Sequence, residues 1–307
     1  MKNKASLTNK LFISKNSTGL GFFKSLQLEK SKLFLRRLNN EHISKNERQI
    51  AVFAFDSIAL EVALYGVYEK KELELFFDWL SFIQKDFLQG AAIDIGANIG
   101  NHSLFFSDYF KKVYSFEPNK NTFKLLSFNA NLVNNIECFN YGLSDKESTA
   151  TMVFDKKNVG GAKLTGDLAA DSDVVNLRML DQSISFEERV YLIKIDVEGH
   201  ELEVLKGAKK TIGSHQPIII FEQLSSEFNS GSSDCIEILK KYGYENFAYL
   251  KFSPGVCKKI PKFLRRHIQL LHSKFLGQTG EVIKSSSFET RNYPFLIAIP
   301  KWLNETL

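Results

Sequence analysis

The chain has 307 residues, 44% of them hydrophobic and 24% charged, which excludes a disordered or fibrous polypeptide and fits one large globular domain with an appendage. No apolar run reaches the ~20 residues of a membrane span, and Cys138, Cys235 and Cys257 show no metal-ligand spacing, so a cytoplasmic protein with structural thiols is expected. The net charge of +5 is uneven: residues 1–50 hold eleven Lys/Arg against three Glu, and no acid stands between Glu245 and Glu281.

Residues 1–48 read as a basic, variable N-terminal arm in which 26–38 could form a short basic helix. Residues 49–90 read as a lead-in or lid segment. It holds a β-like run at 52–55, an apolar stretch at 58–64 and a helix over about 72–83 with Leu73, Phe76, Phe77, Leu80 and Ile83 on one face. From residue 91 to 307, strands and helices alternate. Strands are expected at 92–95, 113–116 and 136–141, with a helix over 121–132. Residues 149–154 and 174–180 alternate like antiparallel strands around a glycine-bearing loop at 158–166, so an inserted hairpin or meander is expected at about 149–181. The run 190–195 is almost wholly apolar, the pattern of a buried central parallel strand. A helix to about 212, a strand at 217–221, a helix over 234–242 and a strand at 244–252 follow. A second insertion at about 253–290 precedes the last strand, 293–299. Two final strands sharing one long connection predict an α/β, Rossmann-like sheet of seven mostly parallel strands with the last antiparallel.

The first chemistry lies in AAIDIGANIGNHSLFFSDYFKKVYSFEP, residues 91–118. The spacing Asp94-x-Gly96-x-Asn98-x-Gly100 departs from the dinucleotide G-x-G-x-x-G pattern. Gly96 permits a turn, continued by Ala97 and Asn98, with its backbone close to a ligand, and amides from Gly100 onward can face a carboxylate. Glu117 falls 23 residues after Asp94 at the next strand's tip, where an acid can accept both ribose hydroxyl protons. Asp94 could pair with the methionine amine of S-adenosylmethionine, directly or through water. The two acids point to an adenosine-bearing cofactor, and the antiparallel finish favours S-adenosylmethionine over a dinucleotide.

With these motifs in place, the sequence resembles the FkbM-type methyltransferases over roughly residues 55–222. The resemblance is carried by LYGVYEKKE (64–72), IDIGANIG (93–100), SFEPN (115–119), the asparagines after the following helix, YGLSD (141–145), LD (180–181) and KIDVEGHELEVLKGA (194–208). It implies a class I methyltransferase fold and S-adenosylmethionine-dependent transfer of a methyl group to a hydroxyl. Typical acceptors are sugars or polyketide-like natural products. Ser144, within YGLSD, joins the expected cofactor contacts. The N-terminal arm and residues 251–284 lie outside the resemblance, which therefore names no acceptor.

The second chemical cluster is Lys194, Asp196, Glu198, His200 and Glu201. Read as a strand, residues 194, 196 and 198 put three charges on one side of its carboxyl end, the edge where ligands sit in open α/β sheets. A sugar hydroxyl is a poor nucleophile at neutral pH, and a positioned base adds about 10²–10⁴ in rate. Asp196 is favoured as that base or as an acceptor-orienting group. His200 and Glu198 are further catalytic candidates, Lys194 an anchor, and Glu222 a wall residue. An alternative makes Asp196 and Glu222 oxygen ligands of Mg²⁺, but no third ligand is evident in the sequence and no metal is expected. Residues 258–275 place Ile260, Phe263, Leu264, Ile268, Leu271 and Phe275 at helical spacing among basic residues. Such a helix could pack on the sheet, cover the acceptor, or touch an anionic membrane. The expected partner is a small-molecule or glycan acceptor, not nucleic acid. The competing readings are a nucleic-acid methyltransferase using the basic arm, for which residues 196–199 lack an Asn/Asp-Pro-Pro-aromatic motif, and a non-catalytic S-adenosylmethionine-binding module.

Overall fold

The structure, a computed structural model, describes residues 22–83, 89–155, 158–165, 172–254 and 278–304. The segment 258–275, read above as amphipathic, lies outside the described residues. Two compact units divide the chain, Met1–Glu47 and Arg48–Leu307. The first contributes helix α1 (Phe22–Ser44), longer than the basic helix expected at 26–38. Among the described residues, no helix is long and apolar enough to cross a membrane.

The second unit begins with α2 (Ser57–Tyr65) and α3 (Lys70–Ile83). Residues 52–55, read above as β-like, form no strand. The backbone of Ala51 is bound instead by a side chain: its N–H donates to Asn129 Oδ1 (2.7 Å) and its carbonyl accepts from Asn129 Nδ2 (2.9 Å). Phe55 then takes a left-handed φ of 69°, and Asp56 caps α2 by accepting from Ile58 N at 3.0 Å. Gly66, at φ 81°, ends that helix. The amphipathic face expected on α3 is present, with Leu73, Phe76, Phe77 and Leu80 buried.

The main sheet contains β1 (Ala91–Ile95), β2 (Lys112–Phe116), β3 (Ile136–Phe139), β8 (Val190–Ile195), β9 (Ile218–Gln223), β10 (Asn246–Pro254), β11 (Gln278–Ser285) and β12 (Tyr293–Ile299). Their spatial order is β11-β10-β12-β9-β8-β1-β2-β3. The five strands from β3 to β9 are parallel; the last strand, β12, inserts antiparallel between β9 and β10. The expected seven-stranded arrangement is therefore present, and β11 adds an eighth strand, antiparallel on the edge beside β10. The strand period of two divides the core. Ile93, Ile95, Ile193, Ile195, Ile219 and Phe221 face one layer, with Val204, Leu205, Ile236 and Leu239 from α7 (Glu201–Gly207) and α9 (Asp234–Lys241). Ala92, Leu192, Ile218 and Ile220 face the other, with Leu73 and Phe76 of α3 and Phe106 of α4 (Asn101–Phe106). The single helix expected to run to about 212 is broken at Ala208 into α7 and α8 (Lys209–His215).

A second sheet, β4-β7-β5-β6, is built from β4 (Gly142–Leu143), β5 (Ser148–Asp155), β6 (Asn158–Thr165) and β7 (Ser172–Arg178). The antiparallel β5 and β7 match the expected insertion. The expected loop at 158–166 is instead strand β6, paired antiparallel to β5. Gly160 and Gly161 lower its intrinsic strand preference, and the ladder with β5 overrides that preference.

Candidate functional site

The carboxyl ends of β1, β2, β8 and β9 open into one cavity, as expected for a ligand site in an open α/β sheet. The turn after β1 forms its floor. Gly96, at φ 75°, brings the turn so close to the β8 end that a Cβ there would stand 1.8 Å from the Asp196 carbonyl oxygen. The N–H groups of Gly96 and Ala97 both donate to Phe116 O, at 3.0 and 2.9 Å. Asn98, also left-handed at φ 51°, donates its N–H to Glu117 Oε2 at 3.0 Å. Gly96, Ala97 and Asn98 line the cavity; Gly100 instead begins α4 from a left-handed φ of 87°.

Glu117 is buried at the tip of β2 and lines the cavity. Its Oε1 accepts from Asn119 N at 2.8 Å, and Oε2 from Asn98 N. An ionised carboxylate has about four acceptor positions, so each oxygen keeps capacity for a ligand hydroxyl. Burial pushes this carboxyl up to about 7, opposed by the Asn119 and Asn98 amides and the Lys194 ammonium. Around it, Pro118, Leu143, Met152 and Leu177 supply an apolar wall. Three of these, Leu143, Met152 and Leu177, come from the second sheet, which sequence reasoning had not connected to the site. Thr122 also lines this end, with its Oγ1 buried and without a hydrogen-bond partner. An acid, an unsatisfied hydroxyl and an apolar wall together fit the ribose and base of an adenosine.

Besides Gly100, two further residues expected to contact the cofactor do not line the cavity. Asp94 is fully buried beneath the cavity, with Oδ2 accepting from Ser103 Oγ at 2.6 Å and Oδ1 lying 3.5 Å from Lys194 Nζ. The pleat of β1 aims it at α4. Ser144 is buried behind His200, its Oγ 2.9 Å from His200 Nε2, and does not line the cavity.

The charged cluster gathers at the end of β8. Lys194 is buried, with Nζ 3.2 Å from Asp196 Oδ2 and 3.4 Å from Gly96 O. Burial alone would lower its pKa, but the carboxylates of Asp196, Asp94 and Glu69 outweigh it, and the ammonium is held above its ordinary value. The strand alternation expected through 198 ends earlier: β8 stops at Ile195, and Glu198 turns to φ 56°. Glu201 folds this loop. Its Oε1 accepts from the N–H groups of Val197 and Gly199, both at 3.2 Å, and burial pushes its carboxyl up to about 7. Asp196, Glu198, His200 and Glu222 all line the cavity. Burial, then Asp196 and Glu198, push Glu222 up to about 7. Among the described residues, no group of three or more His, Cys, Asp or Glu is disposed to hold a metal ion.

The lead-in segment supplies lining that the sequence did not announce: Ser57, Ile58, Tyr68 and Glu69, joined by Asn101 and His102 of α4. Tyr68 and Asn101 are 33 residues apart, so only the folded chain brings them together. The one signal was that Tyr68 and Glu69 fall inside the family-like stretch 64–72.

A Rossmann-like sheet carrying these groups at its strand tips defines a class I methyltransferase domain. Residues 94–245 match the family described as the methyltransferase FkbM domain. The chain is similar to the hexuronic acid methyltransferase AglP of Haloferax volcanii, with 32% identity over 136 residues, 41% of this chain. That match covers 53% of the relative, so the chain spans about half the length of the curated protein it matches. Among solved structures it is similar to methyltransferase FkbM from Methylobacillus flagellatus, at 18% identity and TM-score 0.37 over 66% of this chain and 52% of that one. An rRNA methylase from Streptococcus thermophilus shows 11% identity and TM-score 0.39 over 75% and 97%.

The pKa of Glu117 gives the first prediction. Unfolded, its carboxyl titrates near 4.5; folded and unliganded, near 7. Between these values the folded state binds more protons, so this group's contribution to stability is present at low pH and lost as pH rises through about 7. Hydroxyl donors favour the ionised form. S-adenosylhomocysteine affinity should therefore rise between about pH 6 and 8, by up to about tenfold per unit below the transition. Titration calorimetry in two buffers of different ionisation enthalpy should show proton release, and Glu117→Gln should abolish it. A flat profile in the wild type would remove Glu117 from ribose recognition.

Proposed function

We propose that this chain is an S-adenosylmethionine-dependent O-methyltransferase acting on a hydroxyl of a sugar, glycan or natural-product acceptor. The observation that carries this reading is the shared cavity: Glu117 stands at the β2 tip and Lys194 and Asp196 at the β8 end, with the turn 96–98 between them, Asn98 N–H donating to Glu117 and Gly96 O lying 3.4 Å from Lys194 Nζ. S-adenosylmethionine, when bound, supplies an electrophilic methyl group on a sulfonium. Glu117 would hold the ribose, Thr122 and the apolar wall the nucleoside, and the turn 96–98 the amino-acid portion. Asp196 would accept the proton of the acceptor hydroxyl, while Lys194 fixes the orientation of its carboxylate.

The relative from Haloferax volcanii supports a sugar as acceptor. Within that class, Asp196, Glu198 and Glu222 line the cavity near the ammonium of Lys194. Like charges this close raise the cost of a further anion, which favours a neutral hydroxyl over a carboxylate at the reacting position.

The test is transfer of tritiated methyl from S-adenosylmethionine to a panel of neutral glycosides, uronic acid glycosides, polyketides and RNA. Label should appear on a carbohydrate or polyketide as an alkali-stable ether. Alkali-labile label would mean a methylated carboxylate, and labelled RNA would revive the nucleic-acid reading. Cofactor binding without transfer to any acceptor in the panel would favour the non-catalytic module.

A further inference from the structure

Asp94 stands at the strand tip where an acid would be expected to meet the cofactor's amine, yet it is sealed below the cavity by Ser103 and Lys194. The amine then needs another partner, because burying an ammonium without a carboxylate is costly. We propose that Glu69, in the turn between α2 and α3, receives the ammonium of the cofactor's methionine portion. This assignment rests on the S-adenosylmethionine reading above.

Glu69 lines the cavity and lies close enough to Lys194 and Glu222 to influence both. Those groups stand at the ends of β8 and β9, which open into the same cavity. Its φ of 54° is left-handed, a conformation uncommon for a residue bearing a Cβ. The turn is also fastened. Tyr68 N–H donates to Asn101 Oδ1 at 3.0 Å, Asn101 Nδ2 donates to Tyr68 O at 3.1 Å, and Glu69 N–H donates to Glu61 Oε2 at 3.3 Å. These bonds aim the side chain. One carboxylate oxygen meets His102, with Oε2 3.1 Å from a buried Nε2, which leaves most of its acceptor positions for a ligand.

The other acids near Lys194 are less suited. Asp196 is paired with Lys194 at 3.2 Å, and Glu222 is crowded by Asp196 and Glu198. Glu198 sits on the loop folded by Glu201, which is shaped by the protein's own contacts. Glu69 combines a fastened turn with a carboxylate that meets His102 through one oxygen.

Two nucleosides separate the roles. S-adenosylhomocysteine carries the amino-acid portion; 5′-methylthioadenosine has the same adenosine and sulfur without it. Glu69→Gln should weaken S-adenosylhomocysteine by about 10- to 100-fold and leave 5′-methylthioadenosine within about twofold. Glu69→Asp keeps the charge and suits a left-handed φ, so it should recover most of the lost affinity. Equal losses for both nucleosides, or no loss for either, would overturn the assignment while leaving the cofactor reading intact. Wild-type protein that binds neither nucleoside would overturn the cofactor reading and the assignment with it.

Discussion

Asp196→Asn should lower kcat by about 10²–10⁴ and leave S-adenosylhomocysteine affinity within about threefold. The substitution keeps the shape of the side chain and removes its capacity to take a proton. The other groups near the end of β8 are poorly placed to replace it. Lys194 is held protonated by Asp196, Asp94 and Glu69 despite its burial, so it orients and cannot act as a base. His200 is kept neutral mainly by burial, but its nitrogens are already engaged: Nε2 lies 2.9 Å from Ser144 Oγ and Nδ1 3.6 Å from Glu203 Oε2. Asp196 is different. Its N–H is fixed to Ile95 O at 3.0 Å and Lys194 touches one carboxylate oxygen, while its side chain keeps 39% of its exposure. Single-turnover kinetics with a productive acceptor would check this. An Asp196→Asn enzyme retaining more than about a tenth of the wild-type rate would move the base elsewhere, and His200→Ala would then become the decisive variant.

The strands that hold the site were legible because they are buried on both faces. Val190 to Ile195 and Tyr293 to Ile299 are apolar runs ended by charge or proline, and both begin and end where that pattern begins and ends. Elements that depend on partners were hidden. The edge strand β11 reads QTGEVIKS, with no apolar face of its own, and β6 carries two glycines; each is a strand because a neighbour pairs with it. In α2 the apolar stretch was visible, but it buries no residue completely, so its hydrophobicity alone did not distinguish helix from strand. The site divides in the same way. Glu117 and Gly96 follow from chain spacing, whereas Asp94 shares that spacing and is lost to the cavity through the direction of the β1 pleat. Glu69, Tyr68 and His102 meet across the fold, beyond the reach of any local pattern.

Gly96→Ala should have the largest effect on the whole site. The position has φ 75°, and an added Cβ would lie 1.8 Å from the Asp196 carbonyl oxygen and 2.9 Å from its carbonyl carbon. These are backbone atoms of the β8 end, so no side chain can swing aside. A left-handed alanine costs about 1–3 kcal/mol, and forcing backbone apart adds about 1–3 kcal/mol more. At about 2–4 °C per kcal/mol for a domain of this size, Tm should fall by roughly 5–20 °C. Gly213→Ala is the control: it lies within α8, nothing is within 4 Å of the added Cβ, and helix propensity favours alanine by about 1 kcal/mol. Binding should suffer beyond stability, because Gly96 joins three parts of the site. Its N–H holds Phe116 O beside Glu117, its carbonyl receives Lys194 Nζ, and its Cα lies against Asp196. Separating β1 from β8 therefore displaces Glu117 and the proposed base in one step. Calorimetry well below the lowered Tm should show S-adenosylhomocysteine binding weakened by at least about tenfold in protein that is still folded. Wild-type affinity in that sample would mean that the cofactor is held without the turn, and that the two ends of the cavity are positioned independently.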